Sequence, residues 1–372
     1  MRVVHICSGH RIDDPRVFQK ECVSLAMAGY EVHLIGIGDQ TGDSVVKGVH
    51  LHPLPKCSTR KERVARRRQV AQLAASLDMD LFHVHEPELL AAVLKVAGTK
   101  PVVYDVHEPY LEAIKDRAWI PKPLRSSVAA LFDRVESSLV KRCAAVVVAT
   151  QYLAPRYIAL GQKTITLANY PRLSEFENLP IHERPAGSCV FIGSISRVRG
   201  IVEAIEAVRR LNSSGVPVTL DIAGPFAESV VKSEVLAGAS ADGPIRYHGQ
   251  LLPKEAVELA NKCAIGLVPH WRTPHNEKAW PVKMMEYMAL GLPAIYTGLE
   301  THIELAHEKE IGVCIDDPKN PDCIADAIRA MVENPVEARK RGQAGREIVK
   351  TTLNWEVESV KLIDEYKRIG PN

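Results

Sequence analysis

The sequence predicts an α/β protein built as two doubly wound βα domains in series. Three observations predict it. The chain has 372 residues, too many for one ordinary core and suited to two domains of roughly 150–200 residues each. Short β-branched runs alternate with amphipathic stretches, the pattern of parallel strands covered by helices. The alternation then halts in a polar, proline-bearing stretch and starts afresh. The chain accordingly divides into a first domain over 1–172, a linker over 173–187, a second domain over 188–352 and a closing helix over 353–372 that is expected to cross back to the first domain.

In the first domain, 2–7 (RVVHIC) reads as a buried strand. Residues 14–28 read as a helix with Val17, Cys22, Val23 and Leu25 on its apolar stripe and Gly29 as its stop. Further strands are expected at 31–38 (EVHLIGIG), 81–85 (LFHVH), 101–107 (PVVYDVH), 144–150 (AAVVVAT) and 164–169 (TITLAN). The second series runs through 189–193 (CVFIG), 218–224 (VTLDIAG), 245–249 (IRYHG), 265–270 (IGLVPH), 293–298 (PAIYTG) and 312–316 (GVCID). Its strands tend to end in Gly or His, which places the following loops at the carboxyl edge of a parallel sheet, where open α/β folds bind ligands. The two domains are expected to face each other across a cleft.

Composition narrows the class. Hydrophobic residues make up 46% and charged residues 25%, ordinary for a soluble globular protein. The start MRVVHICSG lacks the apolar core of a signal peptide, and no run approaches the ~18 apolar residues of a membrane span. Eight scattered cysteines without C-x-x-C spacing read as reduced core thiols of a cytoplasmic protein. The net charge of +2 hides an asymmetry: residues 1–175 carry 24 Lys and Arg against 18 Asp and Glu, the remainder 23 against 27. Six basic residues and one acid fall in RKERVARRR (60–68). That run is either the solvated end of a helix reaching Leu77 or a surface for anionic lipid or an acidic acceptor. No aromatic residues interleave with it, which argues against nucleic acid.

The chemistry gathers at strand ends. In KAWPVKMMEYMALGLPAI (278–295), Pro281 opens a helix, and Lys283 and Glu286 share a face one turn apart. They form either a surface ion pair or a clamp. In the clamp reading, helix amides and Lys283 take phosphate while the Glu286 carboxylate takes the paired hydroxyls of a ribose. FIGSISRVRGI (191–201) supplies Gly193, a polar loop with Ser194, Arg197 and Arg199, and Gly200 at the next helix. Small residues let backbone approach an anion, and arginine grips phosphate bidentately. Gly249 ends a neighbouring strand. The loop SGHRIDDPRV (8–17), with Gly9, His10, Asp14 and Arg16, is likewise polar and would serve the acceptor side. His107 ends its strand, to face the cleft or to cap the next helix. Alternation puts His83 and His85 on one strand face and Glu86 on the other; with no third ligand in sight, no metal site is expected.

At these residues the chain resembles glycosyltransferase family 4, the retaining nucleotide-sugar transferases of the GT-B fold, whose two domains are Rossmann-like. The resemblance runs through HRIDDPRVFQKECVSLAMAGYEVHLI, HVHEPELLAAVLKVAGTKPVVYDVHEPY, FIGSISRVRGI, PVKMMEYMALGLPAI and IGVCIDDPKNPDCIADAIRAMVENP, in that order. It is similar to a subgroup working on bacterial capsule, exopolysaccharide and lipopolysaccharide. The resemblance implies that Glu286, the second glutamate of a Glu-x7-Glu motif, holds the donor ribose. It implies that Arg199 replaces a diphosphate-binding lysine, that His107 lies beside the donor sugar, and that Gly9 approaches donor phosphates or acceptor. Two positions depart from the pattern. Lys278 stands where the first glutamate belongs, with Glu277 one residue off, and Ser194 stands where an arginine is usual. Lys283, and with it Arg197, is expected to supply the missing positive charge.

The resemblance implies sugar transfer from a UDP- or GDP-linked donor to a glycan or lipid-linked acceptor, with retention and without a metal or other cofactor. The catalytic set would be His107, Glu286 and Arg199. The donor set would add Gly193, Ser194, Arg197, Lys283, Lys278 and Gly249. A non-hydrolysing nucleotide-sugar 2-epimerase and an inactive binding partner of another transferase are the alternatives. Expected partners are the donor, the acceptor and, through 60–68, the inner face of an anionic membrane.

Overall fold

Fully buried runs such as Val3, Val4 and Ile6, or Val146, Val147 and Val148, leave no polar face for water, so each must be a strand covered on both sides. The structure, a computed structural model, describes residues 1–39, 42–116, 120–180, 182–306 and 310–370. It divides into two compact units, Met1–Asn169 with Trp355–Asn372, and Tyr170–Asn354.

The first unit is built on an eight-stranded sheet. Its strands are β1 (Arg2–Arg11), β2 (Glu31–Ile37), β3 (Ser44–Val46), β4 (Val49–Leu54), β5 (Leu81–Val84), β6 (Val102–Val106), β7 (Ala145–Val148) and β8 (Thr164–Thr166). Their spatial order is β3-β4-β2-β1-β5-β6-β7-β8, and every pairing is parallel except β3 with β4. The order reverses between β1 and β5, where open α/β sheets form their crevice. Alternate residues feed two cores. Val4, Phe82, Tyr104 and Val146 face one; Val3, Leu81, Val103 and Val147 face the other, with Trp355, Leu362 and Tyr366 of the helix Trp355–Ile369. That helix is pinned by Trp355 Nε1 donating to Ser24 Oγ (2.8 Å) and by the Ala168 amide donating to Glu358 (2.7 Å).

Two features of this unit were not expected from the sequence. Residues 44–54 form a hairpin, turned by Lys47 and Gly48 at φ of 51° and 79°, the left-handed pair that a two-residue turn requires. The expected helix over 14–28 is a π-helical segment, Val17–Cys22, running into the short α-helix Val23–Met27. π-turns widen a helix by one residue and are common at functional sites.

The second unit carries β9 (Ser188–Ile192), β10 (Thr219–Ala223), β11 (Ile245–Tyr247), β12 (Ile265–Val268), β13 (Ala294–Thr297) and β14 (Gly312–Ile315). They form one parallel sheet in the order β11-β10-β9-β12-β13-β14, reversing between β9 and β12. The stretch read as a linker packs onto this unit: Phe176 is buried against Val190 and Met284, and Arg184 donates to the Asn261 side chain (2.8 Å) and the Leu290 carbonyl (3.1 Å). All eight cysteines are free thiols. Among the described residues no helix is long and apolar enough to cross a membrane.

Candidate active site

In the second unit the loops after β9 and β12 flank the reversal point. The Gly193 amide donates to the Ala223 carbonyl (3.0 Å), and Gly193 and Gly224 take φ of 134° and 140°. A Cβ on Gly224 would sit 1.9 Å from the Gly193 carbonyl oxygen, so no larger residue fits where the two strand ends meet. After β9 the chain makes a tight turn, Arg197–Arg199, and Gly200 (φ 75°) starts the helix Ile201–Ser213. The Trp271 amide and Asn276 side chain both donate to the Val198 carbonyl (2.9 and 3.2 Å), tying the two loops together.

Arg199 and Lys283 converge on the same glycine. A Cβ built on Gly193 would lie 3.1 Å from Arg199 Nη1 and 3.9 Å from Lys283 Cγ. Among the described residues no carboxylate pairs with Arg199, and burial draws its pKa down. Lys283 lies in the first turn of the helix Val282–Ala289, whose early amides have no intrahelical acceptor. Its ammonium donates to Glu286 Oε2 at 2.6 Å. The surface ion pair foreseen as one reading of this spacing is therefore formed, and it leaves both groups at the helix start beside Arg199. His270, at the end of the β12 loop, is pushed down to about 3 by burial, with His302 and Arg199 adding to the shift, so it stays neutral. A glycine floor, two cations and helix amides make a cradle for an anion the size of a diphosphate.

Other residues of the expected donor set are placed differently. Arg197 turns away and pairs with Glu234 (2.6 Å), while its amide is taken by Glu228 (3.1 Å), so its charge is already used. Lys278 is the exposed last residue of the short helix Pro274–Lys278. Its neighbour Glu277 accepts from Arg272 (3.2 Å) and from the Glu300 amide (3.1 Å), which fixes it at the start of the helix Glu300–Ala306. Ser194 follows Gly193 at half-burial. Gly249 (φ 78°) accepts from the Gly224 amide (2.8 Å), extending the row of glycines to a third strand end.

In the first unit the loop after β1 is occupied from within. The amides of Ser8, Gly9 and His10 donate to the Glu86 carboxylate (2.9, 2.8 and 3.1 Å), and His10 Nδ1 joins them at 2.8 Å. Gly9 therefore spends its donor on Glu86, where the resemblance implied a phosphate or an acceptor. Burial alone would lower the His10 pKa; the bond to Glu86 and that carboxylate's charge outweigh it and raise it. Asp14 and Arg16 also depart from the acceptor-side expectation. Asp14 accepts from the amides of Arg16 and Val17 (2.8 and 2.9 Å), capping the π-turn. Arg16 is buried and donates to the Leu167 carbonyl (2.7 Å) and Asp105 (3.4 Å).

Asp105 is the hub that sequence reading missed. Its Oδ2 lies 3.4 Å from His107 Nε2 and 3.5 Å from His85 Nδ1. Burial would raise this carboxyl, but the charges of Arg16 and His107 and its bonds hold it well below the usual carboxylate range. The clue was the i,i+2 pair in VVYDVH, which puts Asp105 and His107 on one strand face. His107 also bonds His85 Nδ1 (3.0 Å), rests on His10 with ring centroids 4.6 Å apart, and lines a cavity of about 570 Å³. That cavity has polar groups from Glu86, Glu88 and Arg63 and an apolar wall from Leu90, Tyr110 and Phe132. The expectation that His83 and His85 lack further metal-ligand partners is also corrected: His5 of β1 and Glu21 of the π-turn, distant in sequence, stand beside them.

Comparison with known proteins defines the class first. Residues 181–348 match the family described as Glycosyl transferases group 1, and residues 16–168 match Glycosyltransferase Family 4. The sucrose-phosphate synthase of Thermosynechococcus elongatus superposes with a TM-score of 0.72 at 17% identity, covering 99% of both chains. HepE of Anabaena, solved with UDP and glucose, superposes with a TM-score of 0.69 at 13% identity, over 99% of this chain and 100% of that one. The phosphatidyl-myo-inositol mannosyltransferase of Mycolicibacterium smegmatis is 22% identical over all of this chain and 94% of its own length. The fold is thus GT-B, and the protein is a glycosyltransferase. Two family matches that together take in most of the chain carry the assignment further: it belongs to glycosyltransferase family 4.

Proposed function

We propose that the protein transfers a hexosyl group from a nucleoside-diphosphate sugar, UDP- or GDP-linked, with retention at the anomeric carbon. The observation that carries this reading is the convergence of Arg199 and Lys283 on Gly193 at the sheet's reversal point. Arg199 and Lys283, with the amides of the helix Val282–Ala289, take the diphosphate. Glu286 leaves Lys283 to accept the two ribose hydroxyls. Gly193, Ser194 and Gly249 form the floor that lets backbone approach the donor, with Lys278 at its margin. Solved relatives hold such donors: HepE was crystallised with UDP-glucose, and an Escherichia coli trehalose-6-phosphate protein with UDP-2-fluoro glucose.

In the step itself, the bond from the anomeric carbon to the diphosphate oxygen breaks and its electron pair leaves with the diphosphate. The acceptor hydroxyl oxygen forms the new bond on the same face, and its proton passes to the departing phosphate oxygen. The growing negative charge is met by Arg199, Lys283 and the helix amides, so the step draws on no metal ion. His107 orients the reacting groups. Its Nε2 is held by Asp105 and His85, and neither it nor Glu286 is assigned as the base.

The cavity beside His107 suits an acceptor with a polar end and an apolar body, such as a glycan on a lipid carrier. This fits bacterial surface-polysaccharide synthesis by a cytoplasmic enzyme resting on the inner membrane face. The basic run at 60–68 would supply the membrane contact, although Arg63 already pairs with Glu88 (2.8 Å) and Arg66 with the Pro55 carbonyl. The test is incubation with a panel of nucleotide sugars, with and without a lipid-linked acceptor. Release of UDP or GDP that depends on acceptor supports the reading. Donor turnover without acceptor would replace it with an epimerase.

A further inference from the structure

The first unit buries a polar cluster larger than the support of His107 requires. His5, His83, His85, Glu21, Asp105 and Arg16 are all at most 7% exposed. Burying so many polar groups is costly unless each finds a partner. Several do not. Both oxygens of Glu21 and His83 Nε2 make no hydrogen bond, and although Arg16 Nε lies 3.1 Å from Glu21 Oε1, it is not aligned to donate.

The unsatisfied atoms share one place. His5, His83, His85 and Glu21 each present a ligand atom, and these four lie within 4.8 Å of one another. His5 Nδ1 is 3.0 Å from His85 Nε2 and 3.8 Å from Glu21 Oε2. These values bracket the ~3.3 Å separation of ligand atoms around a tetrahedral ion with bonds of about 2.0–2.1 Å.

The opposite ring nitrogens are supported as metal-bound imidazoles require. A ligating histidine normally donates its other N–H to a carboxylate or similar oxygen, which fixes its tautomer and orientation. His5 Nε2 and His83 Nδ1 both reach the Tyr366 hydroxyl oxygen (3.1 and 2.6 Å), and His85 Nδ1 reaches Asp105 Oδ2 (3.5 Å).

We propose that His5, His83, His85 and Glu21 bind one zinc-class divalent ion in the core of the first unit, with Tyr366 and Asp105 as its outer support. Three imidazoles and a carboxylate suit Zn²⁺ better than the hard, all-oxygen shell of Mg²⁺ or Ca²⁺. The four ligands come from β1, the π-turn and β5, and the support from β6 and the last helix. The ion would thus cross-link five elements spread over 361 residues of sequence. It would be taken up as the unit folds. The site shares His85 and Asp105 with the support of His107, but the diphosphate contacts proposed for Arg199 and Lys283 do not depend on it.

Cobalt is the probe, because Co²⁺ occupies zinc sites and its visible spectrum reports coordination number. The full chain is expressed in cobalt-supplemented minimal medium and purified natively through an EDTA wash. The background is His33→Ala/His50→Ala, which removes the Glu31, His33 and His50 group; the Glu21 and His83 variants separate the proposed site from the two other ligand groups, Cys7, His10 and Glu86, and His85, Asp105 and His107. About one cobalt per chain with a four-coordinate spectrum supports the proposal, as does at least a tenfold loss of retained cobalt in Glu21→Gln or His83→Gln. No retained cobalt, a six-coordinate spectrum, or retention unchanged in both variants overturns it. If one variant fails to fold the other decides, and if both fail, X-ray absorption of the bound cobalt does: three imidazoles support the site, while a sulfur ligand or fewer imidazoles overturn it.

Discussion

The two sheet-reversal points of this molecule are built on the same topology and treat charge in opposite ways. In the second unit the strand ends carry Gly193, Gly224 and Gly249, and the cations Arg199 and Lys283 stand over them. In the first unit the equivalent loop amides close on the protein's own Glu86, and Arg16 is buried between Asp105 and Glu21. At the second edge Arg199 has no carboxylate partner among the described residues and Lys283 pairs only with its helix neighbour Glu286; at the first edge the loop amides and Arg16 are engaged by buried carboxylates. A shared fold therefore says where a ligand can bind, while the accounting of donors and charges favours the second unit as the edge proposed to take the diphosphate.

Substitutions that separate the two edges test this difference. The largest effect is expected from Arg16→Ala. It leaves Asp105 buried without its cation and should cost the first unit about 3–5 kcal/mol, read by denaturant unfolding. Arg199→Ala should act on function instead, lowering kcat/KM with an identified donor roughly 10²–10³-fold at near-normal stability. Gly224→Ala presses a methyl against the Gly193 carbonyl and should destabilise the second unit by about 2–3 kcal/mol, with loss of donor binding.

Acid should weaken the second unit by a route of its own. His270 and His302 are pushed down to about 3 and about 4, chiefly by burial. Because these folded values lie below the unfolded value of about 6.5, the stability they contribute is complete above pH ~6.5. It is lost progressively as pH falls below ~6.5, and the loss is complete at about 4 for His302 and about 3 for His270. Between pH 6.5 and 5.5 the pair should cost about 2 kcal/mol, and His302→Gln should reduce that slope. The smallest effect is expected at Arg197→Ala: its partner Glu234 is a partly exposed carboxylate, so stability should fall by less than about 1 kcal/mol and donor affinity should hold.

Most of the strands were legible because they are largely buried β-branched runs, several of them closed by Gly or His. The hairpin of β3 and β4 was not, since it interrupts the βα alternation that guided the reading and its only local mark is the turn at Lys47 and Gly48. The meeting of Gly193, Arg199 and Lys283 was legible, with Glu286 beside Lys283, because helix spacing and strand ends fix their directions locally. Arg197 was misplaced for want of Glu234, a partner 37 residues away that no spacing reveals. The buried cluster shows the same limit more strongly. His83 and His85 were seen as a pair on one strand face, but His5, Glu21 and Tyr366 reach them only through tertiary packing.

Calorimetric titration of the full chain with UDP and GDP, for the wild type and for Arg199→Ala and Lys283→Ala, tests the assignment of the diphosphate to the second unit most directly. The account predicts that one of the two nucleotides binds the wild type and that each variant binds it at least about tenfold more weakly, the loss of one charged phosphate contact. Affinity unchanged in both variants would contradict it.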